Sequence, residues 1–288
     1  MKSISEFERL YKVNIPFHEK SQYYIDTLLK SAEFNFIPSA IKDIENLEAD
    51  LGDRSIKSYK EEKMDAVIAY IENSAAHYNF MRYDIQSLPK PTTKDERNKN
   101  FALDQTGKFY LSIDISKANY SVFKNIFAEN DELGKDWPDF MSKLNVHPAL
   151  ANSKSFRQYI FGNINPNRNQ RIQQHLINQL VDQLMIFKDI QSNPPIYITH
   201  DEIILQTDQF PNGRLEYIIS KCKEVWNHPI PIKFSWFQVE KIGERKKLYI
   251  EKHLNNDGSI KYSSLFGVAG NQFYFYFKKY ILKESLTL

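Results

Sequence analysis

A single cysteine, no apolar run of membrane-spanning length, and no carboxylate between Phe140 and Val181 are the most telling absences in this 288-residue chain. Lone Cys222 excludes a disulfide framework and a cysteine-rich zinc site; it reads as a core thiol in a reducing compartment. No run approaches eighteen apolar residues, and Met1–Leu10 carries charges where a signal peptide would need an apolar stretch. The expectation is a soluble, intracellular protein with no membrane partner. With 42% hydrophobic and 26% charged residues, a sizeable core is available and wholesale disorder is excluded.

The missing acids matter more. Average composition would place roughly five carboxylates in a stretch as long as 140–181. The same stretch carries Lys143, Lys154, Arg157, Arg168 and Arg171, with His147 and His175. Cations without neutralising carboxylates suit a phosphate-contacting surface, although a chance gap on a solvated face gives the same pattern. The overall charge of +2 averages a front segment, 1–65, with ten Lys/Arg against thirteen Asp/Glu, over a more basic remainder.

Hydrophobic spacing divides the chain. Ile41, Ile44, Leu47 and Leu51, then Met64, Val67, Ile68 and Ile71, keep helical period, so residues 1–88 read as a helical N-terminal region, a thumb or a partner-binding module. The polar, proline-bearing segment 89–100 reads as a linker to a second unit, 101–288. There Phe109, Leu111, Ile113 and Ile115 alternate with Tyr110, Ser112 and Asp114, a strand with Asp114 at the end of its polar face. Lys117 to Phe127 reads as helix, as does Asn169 to Lys188, whose second face carries Gln173, Gln174, Asn178, Gln179 and Gln183. Ile196 to Gln206 reads as a hairpin with His200-Asp201-Glu202 at its turn. Arg214 to Val225 is a further helix and Ile230–Val239 a further strand. Lys241, Arg245, Lys246, Lys247 and Lys252 form a second basic group, either a nucleic-acid grip or a solvated hairpin.

Asp114 and Asp201 both fall at strand ends. On adjacent strands, two such carboxylates can hold paired Mg²⁺ ions for in-line attack on a phosphate. An ordinary polar turn accounts equally for His200-Asp201-Glu202 taken alone.

Three segments in order resemble the polymerase motifs of family A DNA polymerases. Asp114-Ile-Ser-Lys-Ala-Asn-Tyr-Ser121 is similar to the strand-to-helix motif Asp-Tyr-Ser-Gln-Ile-Glu, with Asn119 in place of the glutamate. Arg157-Gln-Tyr-Ile-Phe-Gly162 resembles the fingers-helix motif Lys-x-x-x-Phe-Gly. Thr199-His-Asp-Glu-Ile-Ile-Leu205 resembles the Val-His-Asp-Glu hairpin. The match spans roughly Phe109 to Gln206.

The resemblance implies an α+β fold: a palm-like antiparallel sheet backed by helices, with reduced fingers at about 140–170. The implied activity is template-directed extension of a primer 3′-end with two Mg²⁺ ions, Mn²⁺ being an alternative. Asp114 and Asp201 would be the metal-binding catalytic pair, with the Ile115 carbonyl as a further ligand and Glu202 as an accessory carboxylate. Arg157 and Lys154 would meet the triphosphate, Phe161 would stack on the nucleotide, and Asn119 would lie at its sugar. His200, Arg171, Gln174, Lys246 and Lys247 would contact nucleic acid. Partners would be a DNA primer-template, nucleoside triphosphates and, through residues 1–88, replication proteins.

Two departures keep other readings open. Asn119 replaces the glutamate that excludes a ribose 2′-hydroxyl, and Asn165-Pro166 stands where the family has a template-contacting Tyr-Gly. A template-independent or ribonucleotide-using nucleotidyltransferase is one alternative. A non-catalytic nucleic-acid-binding accessory protein with a relict palm is the other.

Overall fold

The computed structural model describes residues 2–11, 37–89, 108–191, 195–207, 213–241, 249–254, 260–266 and 280. Among the described residues four helices come first: α1 (Lys2–Tyr11), α2 (Ile37–Leu51), α3 (Ile56–Glu72) and α4 (Ala75–Arg82). Pro38 sits in the first turn of α2, where a missing N–H costs nothing. Ser55 and Ser74 cap α3 and α4, their hydroxyls accepting from Ser58 N and His77 N. The expected linker falls almost wholly outside the described residues.

Strand β1 (Phe109–Ile115) is buried continuously from Tyr110 through Ile113, so its expected polar face is covered as well as its apolar one, and Asp114 is half-buried at its end. Helices α5 (Ala118–Phe127), α6 (Trp137–Lys143), α7 (Pro148–Ala151), α8 (Lys154–Asn163), α9 (Pro166–Leu184) and α10 (Lys188–Gln191) follow. The hairpin of β2 (Tyr197–Ile198) and β3 (Glu202–Thr207) comes next, then α11 (Gly213–Val225) and β4 (Ile232–Lys241). Strands β5 (Tyr249–Leu254) and β6 (Ile260–Phe266) follow. The antiparallel pair β4–β5 falls where the basic group Lys241 to Lys252 reads as a hairpin.

The fold is α+β. Among the described residues six strands form one antiparallel sheet in the order β2-β3-β1-β4-β5-β6. One face of the central strands, carrying Leu111, Ile113, Ile115, Ile203 and Leu205, packs on the helices. The opposite face holds a smaller cluster of Tyr110, Tyr197, Ile204, Phe237 and Val239, with Tyr110 and Phe237 stacked at 5.3 Å. Asp114 shares that second face.

The N-terminal helices are not a module packed apart from the rest. Phe7, Ile44, Val67 and Phe80 join Phe123, Phe140, Phe161 and the β1 aliphatics in one continuous core. Polar contacts reinforce the union: Tyr11 Oη donates to Ala149 O at 3.1 Å, and Ser153 Oγ to Leu10 O at 3.2 Å. Among the described residues no helix is long and apolar enough to cross a membrane.

Candidate functional site

Register explains why the acids meet. Asp114 lies opposite Glu202 of β3 and opposite Lys233 of β4, and directly paired antiparallel residues project to the same face. The β2–β3 turn brings in Asp201, because Ile115 N donates to Asp201 O at 2.9 Å. Thr199 organises that turn: its hydroxyl lies 3.1 Å from Asp201 Oδ1, and Glu202 N donates to Thr199 Oγ1 at 3.0 Å. His200 Nε2 is 3.5 Å from Asp201 Oδ1. Ser112 Oγ donates to Glu202 Oε1 at 2.7 Å, holding that carboxylate beside the strand.

The crowding has an electrostatic signature. Burial, followed by the charges of Asp201 and Glu202, pushes the Asp114 carboxyl up to about 7, with Lys233 and Lys154 opposing the shift. Hard oxygen donors under mutual repulsion suit Mg²⁺ or Mn²⁺. Among the described residues no group of three or more His, Cys, Asp and Glu side chains could hold a metal ion. A cation here would therefore take oxygens from substrate and water besides Asp114, Asp201 and the Ile115 carbonyl, which is how Mg²⁺ is commonly bound at phosphate sites.

Cations face these acids across a cavity of about 280 Å³ lined by Asp114, Lys117, Asn119, Lys154, Arg157 and Asp201, among others. The volume is too small to enclose a drug-sized ligand, so it suits the phosphate end of a nucleotide and not the whole molecule. Helix α8 supplies Lys154, Arg157 and Gln158, spaced i, i+3, i+4 along one face. Its N-cap Ser153 accepts from Phe156 N, while Ser153 and Ser155 both donate to Leu10 O, tying the cationic end to α1. Arg157 is half-buried, with its guanidinium carbon 6.0 Å from the centre of the Trp137 ring. Burial lowers its pKa, yet an arginine remains charged, and among the described residues it pairs with no carboxylate. Lys117, at φ 50 before α5, is depressed by burial and by Arg157.

Lys117 and Gln158 were not among the sequence candidates. The signal for Lys117 was its place between strand end and helix start, and for Gln158 its helical spacing from Lys154.

Asn119 lines the cavity but its amide is engaged behind it. Gln173 Nε2 donates to Asn119 Oδ1 at 2.8 Å and to Asn169 Oδ1 at 2.9 Å, and Asn169 Nδ2 donates to Asn119 O at 3.2 Å. Gln173, Asn169 and Asn178 are buried, Gln174 and Gln179 half-buried and Gln183 exposed, so the amide-rich side of α9 is interior only in part.

Other candidates lie elsewhere. Phe161 is 1% exposed among Tyr120, Phe123 and Trp137, so its ring is core and presents no stacking face. It belongs to the buried stripe Phe156, Ile160, Phe161. Arg171 donates to Leu88 O and Pro89 O, both at 3.1 Å, and Arg168 to Phe80 O and Tyr83 O. These two arginines clamp α9 to the last turn of α4 and the segment after it. Gln174 donates to Asn178 Oδ1 at 3.1 Å on its own helix. Lys246 and Lys247, with Arg245, lie outside the described residues.

A larger cavity of about 580 Å³ adjoins Glu6, Arg9, Glu48 and the α2–α3 turn. Its arginines are already paired, Arg9 with Glu6 and Arg54 with Glu62, which leaves little charge for a ligand. Cys222 is buried and its thiol is pushed up to about 12, so it offers no nucleophile. No protein-family model, no curated protein and no solved structure matches this chain.

Proposed function

We propose that this chain is a nucleotidyltransferase of the family A DNA polymerase type, extending a primer 3′-end on a template. The observation that carries the reading is the meeting of Asp114 and Asp201 with Lys117, Lys154 and Arg157 around one small cavity. Nucleotidyl transfer needs negative ligands for divalent cations and positive groups on the departing pyrophosphate, close together but on opposite walls. Mg²⁺ held by Asp114 and Asp201 would supply charge neutralisation at the phosphate under attack.

The chain's own residues have separable tasks in this reading. Arg157 and Lys154 bind the polyphosphate and stabilise charge building on its leaving end, with Lys117 adding a third cation. Glu202, held by Ser112, adds negative potential beside Asp114. Thr199 positions Asp201 through its hydroxyl, and His200 stands at the turn where the primer end would lie. The palm-like assignment of the sheet belongs to this proposal, as do DNA, nucleoside triphosphates and replication proteins as partners.

Primer extension with labelled DNA, comparing templated and untemplated primers, tests the reading. Asp114→Ala and Asp201→Ala should each lower extension on the order of a thousandfold, and Arg157→Ala on the order of a hundredfold. Extension that survives both aspartate substitutions would sink the metal-site assignment. Primer binding without extension under Mg²⁺ or Mn²⁺ would favour the accessory-protein alternative. A ribonucleotide-using or template-independent enzyme is the second reading. It is favoured by Asn119 in place of a glutamate and by α8 ending at Asn163, ahead of Pro166. Parallel reactions with ribonucleotides separate it.

A further inference from the structure

A strip of exposed side chains leaves the cavity along the solvent side of α8 and crosses to α4. Gln158 stands at the cavity, and the next residue, Tyr159, is 51% exposed. One turn on, Asn163 Nδ2 donates to Tyr159 O at 2.7 Å. Asn165 Nδ2 then lies 4.0 Å from Met81 Sδ on α4. Met81 is 45% and Tyr78 58% exposed, and the Arg82 guanidinium carbon lies 5.1 Å from the Tyr78 ring centre while donating to its hydroxyl.

Isolated exposed aromatics are ordinary. Two tyrosines, a thioether and an arginine joined through asparagines are a pattern with a direction, although the Glu129 carboxylate approaches its α4 side, 3.4 Å from Asn79 Nδ2. Residues 140–181 contain no Asp or Glu, and neither do residues 73–83. Asp84, just beyond Arg82, directs its carboxylate to Gln86 N and Ser87 N. Arg168 beneath the strip covers the carbonyls of Phe80 and Tyr83, which removes the negative end of α4.

We propose that this strip is a binding path for single-stranded nucleic acid, with bases stacking on Tyr159 and Tyr78 and the backbone passing Arg82 and Lys154. Exposed rings accept any base by stacking, and the cations Arg82 and Lys154 accept phosphates. A duplex hides its base faces and gains nothing from the tyrosines. A protein partner would call for a continuous apolar centre, whereas these rings are separated by asparagines. The identity of the strand as a template rests on the polymerase reading; the binding path itself does not.

The test is therefore binding, not extension. Fluorescence anisotropy with a fluorescein-labelled oligodeoxythymidine, in the absence of divalent metal, is measured against a duplex of the same length. Tyr78→Ala and Tyr159→Ala should each weaken single-strand binding about tenfold and leave duplex binding unchanged. Tyr78→Phe should retain wild-type affinity, since the ring remains. Arg82→Ala should reduce the slope of log affinity against log salt by about one. Asp114→Asn should still bind the strand, so loss of extension in that variant leaves the path intact. Wild-type affinity in both tyrosine-to-alanine variants would overturn the proposal. So would concentration-dependent self-association of the wild-type protein that Tyr78→Ala abolishes, since the strip would then be a protein interface.

Discussion

At the scale of single residues, Asp114 concentrates the conflict between folding and chemistry. Its carboxyl, raised to about 7 by burial and by two neighbouring carboxylates, is harder to ionise in the folded chain than in the unfolded one. The associated stability is fully present below the unfolded value near 4 and is lost as pH rises through about 7, because the folded state then gives up a proton it holds more tightly. Asp114→Asn should therefore stabilise the metal-free protein at pH 8, by about 2 kcal/mol after allowance for solvent screening, and change little at pH 4. Urea unfolding midpoints at the two pH values check this; equal effects at both would show that charge crowding is not the cause. The position of Asp114 was legible because alternation in β1 leaves no choice of face. Phe161 lies in the core and not at the cavity, because it belongs to the buried stripe Phe156, Ile160, Phe161 of α8.

At the scale of elements, helix ends do much of the joining. The first N–H groups of α4 are satisfied by Ser74 and also by a distant carboxylate: Glu132 accepts from Ala75 N at 2.8 Å and from Ala76 N at 3.1 Å. A negative group at a helix N-terminus gains from both the open N–H groups and the helix dipole. Glu132→Ala should cost about 1–2 kcal/mol, and Glu132→Gln less. Amide hydrogen exchange should quicken at Ala75 and Ala76; unchanged protection there would show that Ser74 suffices. Such caps are invisible in sequence, since Glu132 and Ala75 are joined only by tertiary approach. The boundary at Asn163–Pro166 was legible, because a proline cannot continue α8 yet fits the first turn of α9.

At the scale of the whole molecule, the two units suggested by the proline-bearing segment share one core. Phe80 packs on Phe123 and Phe127 at 5.1 and 5.3 Å, so the N-terminal helices fill space that the sheet-bearing part would leave open. A fragment of residues 101–288 should lose the cooperative unfolding and near-ultraviolet circular dichroism of the full chain, having lost Phe7, Ile44, Val67 and Phe80 from its core. A sharply melting fragment with native near-ultraviolet signal would refute the shared core. Composition hinted at two parts because it reports only on neighbours along the chain, and burial depends on neighbours in space.

The sequence by itself determined which side of each element a residue occupies, since periods of two and 3.6 are local properties. From these came the helical opening, the face of β1 ending at Asp114 and the hairpin around Asp201, while composition showed the acid-free stretch. Tertiary structure alone decided what those sides face. Strand register set Asp114 between Glu202 and Lys233, and packing of α8 on α1 turned Lys154 and Arg157 toward the acids. The same packing spent Arg168 and Arg171 on backbone carbonyls. Cations alike in sequence thus have different surroundings, because electrostatic roles follow distance and solvent access, and both are fixed only when the chain closes on itself.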